Sequence, residues 1–118
     1  IGEFGWRLGD VKNALLAIDS PVMGTNIDIA NYAVNGEDAL AAIEALSPWV
    51  IYAHLKDAKS TPEGMKQTYL GDGALPLAEL VAAIERVGRP VPLCFEFRGG
   101  DDPDRTIATS MALLNTFA

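Results

Sequence analysis

Apolar and polar positions along this chain switch between two periods, and the switching predicts one supersecondary theme repeated four times. Ile1 to Phe4 reads as a short strand carrying Glu3, and Gly5 to Gly9 as a loop. Asp10 is the expected cap of a first helix whose buried stripe is Val11, Ala14, Leu15 and Ile18. Ser20 and Pro21 stop it. A second strand is expected over Met23 to Ala30, carrying Asp28, then a polar loop with Asn31 and Asn35. Gly36 to Ser47 reads as a helix burying Leu40, Ile43 and Leu46, with Glu37, Asp38 and Glu44 in water. Val50, Ile51 and Tyr52 open a third strand that runs into His54, after Pro48 has ended the helix.

Beyond it, Ala58 to Gly73 is expected to be a long loop, and loops of that length in a small domain are often functional. Pro76 starts a helix with Leu77, Leu80, Val81, Ile84 and Val87 on its apolar face and Gly88 at its end. Val91 to Phe97 is the fourth strand, with Glu96 among Leu93, Cys94, Phe95 and Phe97. Asp102 and Pro103 begin a last helix expected to bury Ile107, Met111 and Leu114. Strands alternating with amphipathic helices indicate an α/β fold with parallel strands and right-handed crossovers. The strands read as apolar on both faces, as a sheet covered by helices requires. Four such units fit either a small open sheet or half of a closed barrel.

Length narrows this. The 118 residues suit a single domain over 1–118 and fall well short of the roughly 250 that a complete (β/α)8 barrel needs. A composition of 49% hydrophobic and 21% charged residues is globular, with no apolar run long enough to span a bilayer and no secretory leader pattern. Cys94 has no second cysteine to pair with and apolar neighbours, so a buried thiol in the cytoplasm is expected. A net charge of −7 repels phosphate backbones, which argues against nucleic acid as a partner.

Candidate chemistry comes from the strand ends. In parallel α/β folds the carboxyl ends of strands surround the ligand crevice. Each expected strand carries one potential metal ligand at or near that end: Glu3, Asp28, His54 and Glu96. Three carboxylates and one imidazole suit Mn²⁺, Co²⁺, Zn²⁺ or Mg²⁺. The alternative for His54 is a core histidine satisfied by backbone groups; for the carboxylates it is solvation or helix capping.

IDIAN at 27–31, AHLKD at 53–57, LGDG at 70–73 and CFEF at 94–97 resemble, in order and spacing, motifs of the xylose-isomerase-like barrel superfamily of sugar phosphate isomerases and epimerases. The resemblance covers essentially the whole chain and places it as the C-terminal half of such a barrel, a partial TIM barrel of about four βα units. It implies that Glu3, Asp28, His54 and Glu96 bind one divalent ion, with Glu3 and Glu96 also acting as the catalytic proton acceptor and donor beside a substrate carbonyl. Lys56, Asp57, Asn31 and Arg98 are implied as substrate contacts; Lys56 and Asp57 read equally well as a surface ion pair, and Arg98 as a solvated strand end. One strand is uncounted: either a short one hides near Thr68 to Leu70, or the family's seventh strand is the one carrying Glu96.

The implied function is a metal-dependent sugar or sugar phosphate isomerase or epimerase. An inosose-type dehydratase is the runner-up chemistry, and a catalytically inactive half-barrel that only self-associates is the alternative class. Endonuclease IV, a relative with several zinc-binding histidines, is disfavoured by the single histidine. Half a barrel exposes sheet edges, so a homodimer that closes the barrel is expected.

Overall fold

Alternating side chains in three short strands build a parallel sheet, and helices cover one of its faces in the computed structural model, which describes residues 7–117. The elements are α1 (Leu8–Ile18), β1 (Thr25–Asp28), α2 (Ile29–Val34), α3 (Ala39–Leu46), a 3₁₀ turn (Ser47–Trp49), β2 (Val50–Leu55), β3 (Asp57–Thr61), β4 (Gly64–Thr68), α4 (Leu77–Glu85), β5 (Leu93–Phe95) and α5 (Pro103–Asn115). The parallel sheet has the order β1-β2-β5, and β3 with β4 forms a separate antiparallel hairpin. Among the described residues the sheet does not close into a barrel. The expected strand at Ile1 to Phe4, with Glu3, lies outside the described residues.

Several boundaries differ from expectation for identifiable reasons. Helix α1 starts at Leu8 rather than after Asp10, because the Glu37 carboxylate accepts the Leu8 N–H at 3.2 Å and caps the helix from across the fold. Asp10 falls in the first turn, where a negative charge favours the helix dipole. Strand β1 ends at Asp28 rather than Ala30, since Asp28 Oδ1 accepts the N–H groups of Ala30 and Asn31 at 3.2 and 3.0 Å and starts α2. The segment expected as a polar loop is therefore helical. Gly36, at φ +76°, then reverses the chain, and Asp38 caps α3 through the Ala41 N–H. The expected loop from Ala58 to Gly73 contains the β3-β4 hairpin. Its strands are almost wholly polar, so no hydrophobic alternation marked them.

The core lies between the sheet and its helices. Ile27, Val50, Ala53 and Leu55 pack with Ala42, Ile43 and Leu46 of α3 and Leu80, Val81 and Ile84 of α4, all essentially buried. A bulge keeps the pattern: Thr25 pairs with Val50 but Asn26 with Tyr52, so the extra residue Ile51 turns out to solvent. Truncating a fully enclosed side chain here leaves a cavity, and Leu46→Ala should cost about 2–5 kcal/mol of unfolding free energy, read from the urea midpoint. The opposite face corrects the expectation of strands apolar on both sides: it carries Asn26, Asp28, Tyr52, His54 and Cys94. Cys94 is accordingly half-buried on this face rather than sealed in the core.

One helical stripe is also rotated from expectation, and another is shorter. In α5 the packed side is Ser110, Leu113 and Leu114, which leaves Ile107 and Met111 at 48% and 43% exposure. In α1 the expected stripe holds at Val11 and Leu15, which pack on the core, and ends before Ile18, which is exposed. Strand β5 pairs directly with β2, so among the described residues no parallel strand intervenes between the one carrying His54 and the one leading to Glu96. The hairpin occupies the connection instead.

Candidate metal centre

Register and parity assemble the site. Asp28 pairs with His54, and His54 with Cys94, so all three side chains share one face of the parallel sheet. Two residues further along β2 and β5 the same face is reached by Lys56 and Glu96. Four of the residues singled out by sequence thus meet at the carboxyl ends of adjacent strands. Glu96 Oε2 lies 3.1 Å from His54 Nδ1, and Asp28 Oδ2 lies 3.8 Å from the same nitrogen. Lys56 Nζ sits 2.9 Å from Asp28 Oδ2 and 2.7 Å from Glu96 Oε2.

Neighbours that the sequence reading missed hold the imidazole. Asn26 Nδ2 approaches His54 Nδ1 at 2.9 Å, and Tyr52 meets the ring edge to face at a centroid distance of 5.6 Å. Both are two residues before a predicted ligand on the same strand, and period-two counting back from Asp28 and His54 would have found them. The two oxygens of Asp28 divide their tasks. Oδ1 caps α2, while Oδ2 is buried, accepts no hydrogen bond of good geometry and faces the cluster in ionic contact with Lys56.

Electrostatics follow from these contacts. The hydrogen bond from Lys56 holds the Glu96 carboxyl below its ordinary range, outweighing burial, and the charges of Lys56 and His54 add to the effect. Burial alone would lower the Lys56 ammonium, but the hydrogen bond to Glu96 and the ionic contact with Asp28 reverse this and raise it. Glu96 is therefore ionised at neutral pH. A depressed carboxyl contributes stability above its unfolded value and loses it as pH falls through the folded one. With chelator present, wild type should thus exceed Glu96→Gln in urea midpoint at neutral pH. The gap should close as pH drops below 4.5.

The remaining predicted site residues separate. Asp57, of opposite parity, points away from the cluster and is 1% exposed. Its Oδ1 accepts from the N–H groups of Ala58 and Leu75 at 2.8 and 3.0 Å, and its Oδ2 from Gly71 and Gly73 at 3.2 and 3.1 Å. With every lone-pair direction engaged by backbone, Asp57 organises the LGDG loop and is not brought to the cluster. Gly73 is required by this clamp, because a Cβ there would run into the Asp57 carboxylate and the Ala58 carbonyl. Gly73→Ala should destabilise the fold by about 1–3 kcal/mol in a urea titration. Asn31 and Arg98 line an open cleft of about 660 Å³ at the strand ends, with Val34, Lys66, Gln67 and Phe97. Gln67 of the hairpin donates to Asn31 Oδ1 and ties β4 to α2. Glu3 lies outside the described residues.

The donor set fits a divalent ion. The ligand atoms of Asp28, His54 and Glu96 all fall within 4.8 Å of one another. Two metal–ligand bonds of about 2.1 Å span up to about 4.2 Å, so a contraction of under an ångström lets the three share one ion. The oxygen and nitrogen chemistry favours it, and the buried Asp28 Oδ2 already faces a cation, the Lys56 ammonium at 2.9 Å.

Residues 2–117 match the family described as Xylose isomerase-like TIM barrel. No curated protein matches the chain. Among solved structures, a xylose isomerase domain protein from Planctomyces limnophilus superposes with a TM-score of 0.79 at 20% identity, over 93% of this chain and 43% of that one. A D-tagatose 3-epimerase-like protein gives 0.75 at 18% identity, over 98% and 42%. A xylose isomerase-like TIM barrel protein from Mycobacterium smegmatis, solved in complex with magnesium, gives 0.72 at 16% identity, over 93% and 39%. The chain thus spans about two fifths of the structures it resembles. With an open parallel sheet and a family match over nearly its whole length, this chain is a member of the xylose isomerase-like TIM barrel family.

Proposed function

We propose that this chain carries the metal-binding and proton-accepting part of a divalent-metal-dependent sugar or sugar phosphate isomerase or epimerase, and that it corresponds to the C-terminal half of the barrel. The observation that carries the reading is that ligand atoms of Asp28, His54 and Glu96, from three elements, lie within 4.8 Å of one another. The magnesium in the Mycobacterium smegmatis relative and the epimerase-like neighbour support it. A divalent ion held there supplies Lewis-acid polarisation of a carbonyl and stabilises negative charge on its oxygen.

The chain's own residues then do the rest. Glu96, ionised, removes the proton from the carbon beside the carbonyl, and the electron pair of that bond moves onto the carbonyl oxygen. Glu3 is the proposed partner that returns a proton to the neighbouring position or the opposite face. Asn31 and Arg98, on the wall of the adjoining cleft, hold hydroxyl or phosphate oxygens of the substrate. Tyr52 meets the imidazole edge to face and holds its plane, while the Asn26 amide, now against Nδ1, gives up that nitrogen when the ion binds it. No described helix is long and apolar enough to cross a membrane, and a cytoplasmic setting is proposed from the single thiol.

Closure of the pocket is proposed to come from a second copy. Strands β1 and β5 each pair on one side only among the described residues, and an unpaired parallel edge invites another strand. Light scattering after size exclusion should give twice the chain mass; a single-chain mass would contradict this part of the reading. The function itself is tested by deuterium exchange. With Mn²⁺ and a panel of ketoses and ketose phosphates in D₂O, deuterium should appear at the carbon beside the carbonyl, and Glu96→Gln should abolish it. Metal-loaded protein that exchanges none of them would refute the reading.

A further inference from the structure

We propose that Lys56 is a built-in cation that occupies the Asp28–Glu96 pair when no metal is bound, and that a divalent ion binds only by displacing it. The inference rests on the metal reading above and adds a step to it. The ammonium is held between the two oxygens that the ion needs, at 2.9 Å from Asp28 Oδ2 and 2.7 Å from Glu96 Oε2. Asp28 has no spare oxygen to offer instead, because Oδ1 is engaged by the α2 N-terminus.

Charge repulsion opposes sharing. An ion about 2.1 Å from Glu96 Oε2 lies, on any side of it, within about 5 Å of an ammonium that is 2.7 Å from the same oxygen. The Lys56 side chain is 6% exposed but that of Glu96 is 53% exposed, so water only partly screens the repulsion between the two cations. A lysine suits the task where an arginine would not: its charge is compact and its four-carbon stem flexible, so it can swing out while its backbone stays in register beyond β2. Without metal, the same ammonium prevents two converging carboxylates from repelling each other and keeps the ligand oxygens close together. Lys56 is in this account a positioning residue, which prepares the site and competes for it.

The test uses the 118-residue chain and Mn²⁺ as the probe, with Lys56→Met as the variant that keeps length and loses charge. Calorimetric titration should show the variant binding Mn²⁺ at least about tenfold more tightly than wild type. The chelator-treated variant should meanwhile unfold at lower urea concentration than wild type. This opposite movement of affinity and stability is what a purely structural lysine would not produce. Should Lys56→Met fail to fold, Lys56→Gln supplies the same comparison. Equal or weaker Mn²⁺ binding in the variant, with His54→Ala still abolishing it in wild type, overturns displacement and leaves the metal reading intact. Absence of Mn²⁺ binding in both proteins overturns the two together.

Discussion

Asp57→Ala should lower the unfolding free energy by about 3–5 kcal/mol, the largest loss expected from a single polar substitution among the described residues. The side chain is 1% exposed and accepts four backbone N–H groups, from residues 58, 71, 73 and 75. Removing it strands those donors at once, and nothing nearby can replace the carboxylate because Gly73 packs directly against it. Asp57→Asn is the informative partner. Its single carbonyl oxygen can satisfy only one side of the clamp, and its NH₂ would face donors on the other. It should therefore recover part of the loss and no more. Urea midpoints for the three proteins check the order. Because Asp57 does not touch the cluster, any variant that remains folded should bind Mn²⁺ as wild type does; a stable alanine variant would contradict the clamp.

The second large effect concerns Asp28, whose two oxygens act separately. Asp28→Ala removes the α2 cap and the ligand oxygen together, leaving the Lys56 ammonium with Glu96 alone. Mn²⁺ affinity should fall by about a hundredfold or more, with a stability loss of about 0.5–2 kcal/mol from the cap alone. Asp28→Asn keeps an oxygen for the Ala30 and Asn31 N–H groups. It should hold most of the capping stability but bind metal as poorly as the alanine variant, since an amide in the Oδ2 position cannot replace an anionic oxygen. Titration calorimetry and urea unfolding on the pair separate the roles. Equal metal affinity in Asp28→Asn and wild type would contradict the assignment of Oδ2 as ligand.

The sequence made the clustered residues legible because strand periodicity and position are simple rules. His54 and Glu96 each follow an apolar run, and a polar residue ending such a run lies at the strand's mouth. The same rule misassigned Asp57, which is adjacent to Lys56 in sequence but opposite in parity, so it enters the loop rather than the site. It also missed Asn26 and Tyr52, whose parity with Asp28 and His54 was there to be counted. The β3-β4 hairpin was illegible for a different reason: Lys59, Ser60, Lys66 and Gln67 give no hydrophobic alternation, and its stability comes from ladder bonds and contacts such as the Lys59–Asp72 ion pair. The start of α1 was hidden because Glu37, its cap, is 29 residues away in the chain. Ile107 and Met111 satisfy a helical spacing as well as the residues that pack do, and periodicity alone cannot choose between two stripes on one helix.

The central claim is that three side chains from adjacent strand ends hold one divalent ion. The anomalous signal of Mn²⁺ in crystals of this chain tests it most directly. The account predicts one strong peak within about 2.3 Å of Asp28 Oδ2, His54 Nδ1 and Glu96 Oε2, with the Lys56 ammonium swung away from both carboxylates. Crystals soaked to saturation that show no peak there, with Lys56 still bridging Asp28 and Glu96, would contradict it.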